Sequence, residues 1–371
     1  MVASDKLTFT TVERNNRPEQ VVSRYTEAAS RIEGYTKSWL EQLDKVKRAE
    51  DERKRRESMS ISSYQNSING HPVSSPSLVI NLEHSRYLGR GRIGQVDAVR
   101  IFGGSEEIAQ KTIYCGNVEL FRKMDVDVKE EVAKMANLRH HHIAQIVFGP
   151  IPDPVHFTFR IYMRPAGQCD LGTFLPQFTD KYDNWFGCLV SALQHSHSCG
   201  IIHQDIKPSN IIISGNEPFL VDFGSARDFS ASGVSMLTDD NIRGTPNYLA
   251  PEDNPGQSRN RKADIFSLGC VFAEMFTIRQ KKQRQDLDQV RNSASFGIDF
   301  PYAFRHNIDS VRNFLKDLDN NSSDVEDETD DKKDLIINML NADPKRRMST
   351  NQLLRELRRL NMTCERCSAI D

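Results

Sequence analysis

The chain has 371 residues, which is enough for two or three lobes with cores of their own, and its formal net charge is −2 with 27% charged residues. This balance gives no broad basic field, so we expect no nucleic-acid partner. No apolar run approaches the roughly 18 residues of a membrane span, the N-terminus lacks a signal-peptide core, and the seven cysteines form no disulfide framework. These features predict a soluble, intracellular protein with no membrane partner.

The N-terminal region, residues 1–57, contains a charged segment at about 18–57 in which apolar residues recur every three or four positions. This period predicts an amphipathic helix. The helix could dock on the rest of the chain, self-associate or bind a protein partner, because the pattern alone does not separate these roles. The basic runs 45–48 and 53–56 suit either a solvated helix end or a nuclear import signal. We therefore expect a cytoplasmic location, and a nuclear one as well if the basic runs act as an import signal.

The next segment, residues 58–78, is rich in serine with glycine and proline, which predicts a flexible linker. Beyond it the pattern becomes β-rich, and helical patterns dominate after residue 170. Predicted strands cover 78–82, 95–102, 108–113, 146–148 and 157–163, and one helix is predicted at about 126–139. This order predicts an α+β fold with a small β-rich lobe followed by a larger helical lobe.

Three glycines, Gly89, Gly91 and Gly94, lie between two of the strand-like segments. A hairpin without side chains lets backbone N–H groups approach phosphates. A dinucleotide-binding fold would instead place a helix directly after the glycines. Lys111 follows on the third predicted strand, and Glu131 lies on the predicted helix.

Residues 203–224 contain the most informative pattern of the chain. They read His-Gln-Asp-Ile-Lys-Pro-Ser-Asn, then a short apolar strand, then Asp-Phe-Gly. Asp205, Lys207, Asn210 and Asp222 thus supply a carboxylate, a cation and two ligands for a hard metal ion. Phosphoryl transfer from a metal-bound triphosphate requires these groups.

Together these motifs resemble the eukaryotic protein kinase superfamily, serine/threonine type, in a variant with His-Gln-Asp in the catalytic loop. The resemblance covers about residues 80–360 and includes the later segments 244–252, 264–269 and 343–347. It implies a bilobal protein-kinase-like fold at 79–360, preceded by the N-terminal amphipathic helix. The N-lobe would be 79–162, the hinge 163–167 and the C-lobe 168–360, with a C-terminal tail at 361–371.

The resemblance also implies ATP and Mg²⁺ as cofactors. Asp205 would orient the substrate hydroxyl and accept its proton, and Lys207 would neutralise charge on the transferring phosphoryl group. Lys111 would bind phosphates when aligned by Glu131, and the metal ligands would be Asn210 and Asp222. The implied nucleotide site comprises Leu88, Gly89, Arg90, Gly91, Arg92, Ile93, Gly94, Gln95, Val96, Ala109, Lys111, Met163, Arg164, Ala166, Asp170 and Ile212.

The resemblance further implies four sets of contacts outside the cofactors. These are an ion pair between Glu252 and Arg347, a cap on the catalytic-loop backbone by Asp264, contacts of Thr245 with Asp205 and Lys207, and an apolar column of His203, Phe223, Met135 and Ile146.

The chain departs from the family pattern at Gln204, where most kinases have an arginine that binds a phosphate on the activation loop. Asn241 stands where the phosphorylated threonine is often found. We therefore hypothesise that basal activity does not require activation-loop phosphorylation. A second departure is the acidic insert 317–331, whose composition favours a disordered loop over a docking site for a basic partner.

Two groups of possible metal ligands stand outside these motifs. Cys364 and Cys367 form a single CxxC pair without a second pair nearby, so we interpret the tail as exposed rather than metal-binding. The three histidines at 140–142 directly follow the predicted helix 126–139, where contacts with its terminal carbonyls are favoured over a metal site.

The predicted function is that of an ATP-dependent protein kinase that transfers the γ-phosphoryl group of Mg-ATP to serine and threonine hydroxyls of protein substrates. The alternative is a pseudokinase-type scaffold that binds partners through the N-terminal helix and the lobes. Such scaffolds usually lack one of the groups that Lys111, Asp205, Asn210 and Asp222 supply, which favours the enzyme. The intact Ala-Pro-Glu segment and Thr245 disfavour a small-molecule kinase.

Overall fold

A computed structural model of the chain describes residues 82–91, 94–101, 105–136, 138–223, 245–253, 260–292, 300–318 and 328–369. The predicted helix at 18–57 and the linker at 58–78 lie outside these ranges. So do Arg92, Ile93 and Asn241, which the sequence analysis singled out.

The N-terminal part of the fold is a five-stranded antiparallel sheet in the order β1-β2-β3-β5-β4. Its strands are β1 (Leu82–Arg90), β2 (Gly94–Ile101), β3 (Glu107–Tyr114), β4 (Gln145–Asp153) and β5 (Thr158–Arg164). Helix α1 (Val118–Ala136) packs on this sheet. Its buried residues Met124, Val128, Val132 and Met135 recur at spacings of three and four, so one face of α1 joins the core.

The C-terminal part is mainly helical. It contains β6 (Cys169–Asp170), α2 (Leu171–Phe174), α3 (Asn184–Ser198), β7 (Ile211–Ser214), β8 (Glu217–Leu220), α4 (Arg261–Arg279), α5 (Arg284–Asn292), α6 (Ile308–Asp317), α7 (Glu328–Met339), α8 (Thr350–Arg359) and α9 (Glu365–Ser368). Strands β6, β7 and β8 form a small antiparallel sheet. Helix α4 is buried continuously from Ala263 to Thr277, so it is the central element of this lobe.

The predicted fold class, α+β with a β-rich lobe before a helical lobe, is confirmed. The first predicted strand, 78–82, lies outside the described residues except for Leu82, where β1 begins before continuing to Arg90. Helix α1 begins at Val118 rather than near 126, because the Asn117 side chain accepts a 2.9 Å hydrogen bond from the N–H of Leu120 and caps the helix. The predicted lobe and hinge boundaries stay predictions.

Both described ends of the acidic insert 317–331 belong to helices, whereas residues 319–327, on which the expected disordered loop mainly falls, lie outside the described residues. Asp317 ends α6, and α7 begins at Glu328. Asp331 in α7 lies 2.6 Å from the guanidinium of Arg359, so this end of the insert is attached to α8.

Among the described residues, no helix combines the length and the apolar character that crossing a membrane requires.

Candidate active site between the two lobes

The predicted catalytic loop, residues 203–210, converges on the carboxylate of Asp205. Its Oδ1 accepts hydrogen bonds from the backbone N–H and the hydroxyl of Thr245, at 3.0 and 2.8 Å. Its Oδ2 lies 2.7 Å from Nζ of Lys207 and accepts a 3.1 Å bond from Nδ2 of Asn210. Lys207 also donates to the Thr245 hydroxyl at 2.7 Å, which confirms the predicted contacts of Thr245. The carboxylate is therefore fixed in place by both a cation and neutral donors.

Asp264 on α4 holds the catalytic loop from beneath, as predicted. Its two oxygens accept the backbone N–H groups of His203 at 2.8 Å and Gln204 at 2.9 Å. His197 adds a 2.9 Å contact from its Nε2. Burial by itself raises the pKa of Asp264, but the bond from His197, the charges of His197 and His203 and the Gln204 N–H together bring the pKa below its usual value. The ionised carboxylate thus stabilises a loop in which Gln204 has a left-handed φ of 69°.

The predicted metal ligands lie next to this carboxylate and to Lys111. Asp222 Oδ1 is 2.5 Å from Nζ of Lys111, and the Asp222 backbone has a left-handed φ of 66°. Asn210 is buried and uses its Nδ2 to bind the backbone oxygen of Asp205 at 2.7 Å, which leaves Oδ1 as its oxygen ligand. A carboxylate and an amide oxygen are hard donors of the type that Mg²⁺ prefers, so the donor set fits this ion.

Glu131, the predicted partner of Lys111, lies within α1, and its side chain is outside the described part of the structure. Lys111 forms an ion pair with Asp222. The proposed alignment of Lys111 by Glu131 therefore stays a prediction.

The glycines of the predicted phosphate loop occupy the hairpin between β1 and β2. Gly91 N–H donates to the backbone oxygen of Gly94 at 2.9 Å and closes the turn. A Cβ on Gly94 would lie 2.2 Å from the backbone oxygen of Thr112, whereas a Cβ on Gly89 would have no atom within 4 Å. Glycine is thus required at Gly94 by the approach of β3, independently of any nucleotide.

The remaining nucleotide-site candidates lie around the junction of the two lobes. Leu88 and Arg90 are in β1, Gln95 and Val96 in β2, Ala109 in β3, Met163 and Arg164 at the end of β5, and Ala166 just beyond it. Ala109 pairs with Met163 in the sheet, and Asp170 pairs with Ile212. Each pair lies within one of the two sheets, and the adenine site that they would form together stays a prediction.

Asp170 has a structural role in addition to the predicted one. Its carboxylate caps α2 by accepting the N–H of Thr173 at 3.0 Å. Sequence reasoning also missed Arg86, which donates to the backbone oxygen of Gly167 at 2.9 Å and pairs with Glu107. An arginine in β1 thereby connects the sheet to the predicted hinge, and the sequence carried no local signal for this contact.

Two further predicted contacts are confirmed. The rings of His203 and Phe223 are 4.5 Å apart, while the rest of the predicted column, through Met135 and Ile146, stays a prediction. Arg347 forms a bidentate ion pair with Glu252, at 2.6 and 2.8 Å. These contacts connect the segment after Thr245 and the residues near Asp222 to the core of the C-lobe.

Comparison with known proteins shows what this arrangement is. The family model described as the protein kinase domain matches residues 82–357. The chain belongs to the protein kinase family. Members of this family generally use ATP and Mg²⁺, in agreement with the oxygen ligands and the glycine hairpin described above.

The similar proteins include mitogen-activated protein kinase kinase kinase 3 of Homo sapiens, which is 30% identical over 215 residues, covering 56% of this chain and 34% of that protein. Serine/threonine-protein kinase PknB of Mycobacterium tuberculosis is 46% identical over 87 residues, covering 23% of this chain and 14% of that protein. PknB of Bifidobacterium longum is 44% identical over 92 residues. The matched part of the kinase domain thus spans about a third or less of the length of these relatives.

The structure corrects the interpretation of the C-terminal tail and of the histidines at 140–142. Cys367 is fully buried rather than exposed. Nε2 of His140 lies 3.0 Å from the Ser191 hydroxyl, and Nδ1 of His142 lies 2.9 Å from the backbone oxygen of Pro218. The predicted contacts with the helix end were wrong, because the histidines follow α1 by several residues and face α3 and β8 instead.

Proposed function

We propose that this protein is an ATP-dependent serine/threonine protein kinase, which transfers the γ-phosphoryl group of Mg-ATP to hydroxyl groups of protein substrates. The observation that carries the proposal is the cluster of Asp205, Lys207 and Thr245. Asp205 bonds Thr245 twice and contacts Lys207 at 2.7 Å. These are the contacts of Thr245 that the resemblance to serine/threonine kinases implies.

Each group in the cluster has a task in this reaction. Asp205 accepts the hydrogen bond of the incoming substrate hydroxyl and takes up its proton. Lys207 places a positive charge next to the oxygens of the phosphoryl group, where negative charge is present during transfer. Asp264 acts as a positioning residue, because its two bonds to the loop backbone fix where Asp205 stands.

The residues that would hold the cofactors are consistent with the geometry. Asn210 and Asp222 would bind Mg²⁺, and the β1–β2 hairpin with Lys111 would bind the phosphates. When bound, the ion neutralises phosphate charge and orients the triphosphate. The buried Met163 and Ala109 supply an apolar surface suited to an adenine ring.

Protein substrates follow from the proposed activity, and the N-terminal helix is proposed as a partner-binding or self-association segment on the basis of its apolar period. We also propose an intracellular location, cytoplasmic or nuclear. All seven cysteines are free, which agrees with a reducing compartment. Microscopy of the fluorescently labelled full chain would test the location.

The proposed function is tested by phosphate transfer from Mg-ATP to a mixed serine/threonine peptide library. Asp222→Asn and Asp205→Asn should abolish transfer, the first through the metal and the second through the substrate hydroxyl. Asp309→Asn is the matched control, since the Asp309 side chain is 93% exposed on α6 and should leave transfer unchanged. Nucleotide binding is measured in parallel.

Transfer by the wild type and by Asp309→Asn alone would support the kinase. Binding of Mg-ATP without transfer in the wild type would contradict it and would favour the scaffold. Transfer that survives both active-site substitutions would also contradict it, because the activity would then come from another protein in the preparation.

A further inference from the structure

Four possible metal-ligating side chains meet in the C-lobe, outside the active site described above. The ligand atoms of His142, Cys188, Cys364 and Cys367 all lie within 4.8 Å of one another. His142, Cys188 and Cys367 are buried, and Cys364 is half-buried. A tetrahedral zinc ion, with Zn–S bonds of about 2.3 Å and a Zn–N bond of about 2.0 Å, places its ligand atoms about 3.5–3.8 Å apart. The four side chains are therefore close to the arrangement of a closed four-ligand site.

The orientation of His142 supports a ligand role for this histidine. Its Nδ1 lies 2.9 Å from the backbone oxygen of Pro218, so Nδ1 carries the proton and donates to that oxygen. The lone pair is then on Nε2, which is 3.3 Å from Sγ of Cys364. Metal-binding histidines are typically oriented by such a bond from the second ring nitrogen to a carbonyl. The structure thus already fixes the tautomer that a metal ion requires.

The tail that carries two of the ligands is held closely against α3. The N–H of Gly187 donates to the backbone oxygen of Met362 at 3.0 Å. A Cβ on Gly187 would lie 2.2 Å from that oxygen, so only glycine permits the approach. Since Cys188 is the next residue, this contact brings Cys188 to the CxxC pair. The tail is further held by Arg358, which donates to the backbone oxygen of Cys367 at 3.2 and 2.9 Å.

Charge at the cluster also suits three thiolates around a divalent cation. Zn²⁺ with three thiolates and a neutral imidazole carries one net negative charge. Arg358 lies beside Cys367, and Arg366 lies against the ring of His141, 2.6 Å from its Nδ1. These two cations stand where they would balance the remaining charge.

We propose that His142, Cys188, Cys364 and Cys367 form a structural zinc site. Three soft thiolates and an imidazole select zinc over the magnesium that the active site takes. All four positions around the ion are filled by protein, and three of the four ligands are buried, so the site has no position for a substrate. It differs in this way from a catalytic zinc.

The site joins three parts of the chain that are distant in sequence: the segment before β4, helix α3 and the tail. The segment before β4 also pairs with β8, since Leu220 N–H donates to the backbone oxygen of His142 at 2.9 Å. Strand β8 leads into Asp222. Zinc would therefore stabilise the tail and the base of the strand that positions this predicted magnesium ligand.

The test is metal analysis of the full chain, purified under reducing conditions without a metal-binding tag. We expect about one zinc per chain in the wild type. Cys364→Ser and the double variant with Cys367→Ser should lose it, while Cys199→Ser should retain it, because Cys199 is exposed and outside the cluster. A chelator should lower the thermal midpoint of the wild type but not that of Cys364→Ser.

The second measurement does not depend on whether the variants fold. It uses wild-type protein from which zinc has been removed and which is then titrated with Co²⁺. Thiolate-to-cobalt charge-transfer bands and the strong d–d bands of a tetrahedral ion are expected at one equivalent. Wild-type protein that contains no zinc and gives no such bands would overturn the proposal. So would zinc retained by the double variant, or a disulfide among these cysteines in wild-type protein as purified.

Discussion

Arg347 offers the sharpest test of how the C-lobe is held together. Its guanidinium is fully buried and forms two bonds to Glu252, at 2.6 and 2.8 Å. It also donates to the backbone oxygens of Asn341, Lys262 and Ala342, at 2.6, 2.8 and 3.2 Å. Arg347→Met removes the charge and all five bonds together. Breaking a buried pair costs about 3–5 kcal/mol, and the stranded carbonyls place the expected loss at about 4–5 kcal/mol.

The opposite substitution, Glu252→Gln, should cost less. The Glu252 side chain is 21% exposed, so water reaches it, and Arg347 keeps its three carbonyl partners. The substitution replaces the charged acceptor of Arg347 with a neutral amide oxygen, which is expected to cost about 1.5–3 kcal/mol. The two substitutions should therefore differ by about 2 kcal/mol in the free energy of unfolding.

The measurement is urea unfolding followed by tryptophan fluorescence, since Trp185 is buried in α3. Arg346→Met is the matched control, because its side chain is 77% exposed and its loss should change the free energy by about 0.5 kcal/mol or less. Equal losses for Arg347→Met and Glu252→Gln, or a larger loss for Glu252→Gln, would refute the reasoning that the carbonyl bonds contribute separately from the ion pair.

Four further predictions concern the active site and the elements around it. Asp264→Asn should lower kcat in the peptide assay by weakening the two bonds that hold the catalytic loop, and should leave KM for ATP nearly unchanged; an equal rise in KM would argue against a positioning role. The same variant also tests how stability depends on pH. The pKa of Asp264 is lower in the folded protein than in the unfolded protein, where it is about 3.9, so the carboxylate stabilises the fold above that pH. This stabilisation is lost as the pH falls through the folded-state pKa. The gap in unfolding free energy between wild type and Asp264→Asn should thus shrink below about pH 4, and a gap that widens there would contradict the assignment. Gly94→Ala should lower thermal stability by about 1–3 kcal/mol, because its Cβ would clash with the Thr112 carbonyl. Gly89→Ala should leave stability unchanged, because its Cβ would have no atom within 4 Å. Calorimetry of both variants tests this difference. Phosphatase treatment of the purified protein should leave most of its activity, since Gln204 cannot make the bidentate contact with a phosphate that arginine makes, and loss of most activity would reject this view.

The catalytic residues could be predicted because their signal is local and ordered. Asp205, Lys207 and Asn210 fall within six residues, and Asp222 follows after two short strands, β7 and β8. A chain this short between them leaves few ways to arrange the groups. The structure joins Lys207 and Asn210 to the carboxylate of Asp205, and the N–H of Val221, next to Asp222, donates to the backbone oxygen of Asn210 at 3.1 Å. The distant partners Asp264 and Arg347 were predicted from the resemblance to kinases, since no spacing rule connects residues so far apart.

Other features of the same site depended on packing. The ion pair between Lys111 and Asp222 joins residues 111 positions apart, and it depends on how the two lobes meet. The hydrogen bond from Arg86 to the backbone oxygen of Gly167 joins residues 81 positions apart, so it depends on where the fold places β1 relative to the predicted hinge. The start of α1 had a local signal that was missed, the asparagine cap at Asn117.

By itself the sequence determined that this chain is a kinase domain, because short motifs carry both the chemistry and the order of the elements. It did not determine the environment of the C-terminal cysteines, and a rule based on local ligand spacing led to the wrong interpretation. Cys364 lies 222 residues after His142, and such a separation has no periodic or spacing signal. Only the tertiary structure placed them together. The tail that carries Cys364 is held against α3 by its close contact with Gly187, and the turn before β4 holds His142 near the same helix.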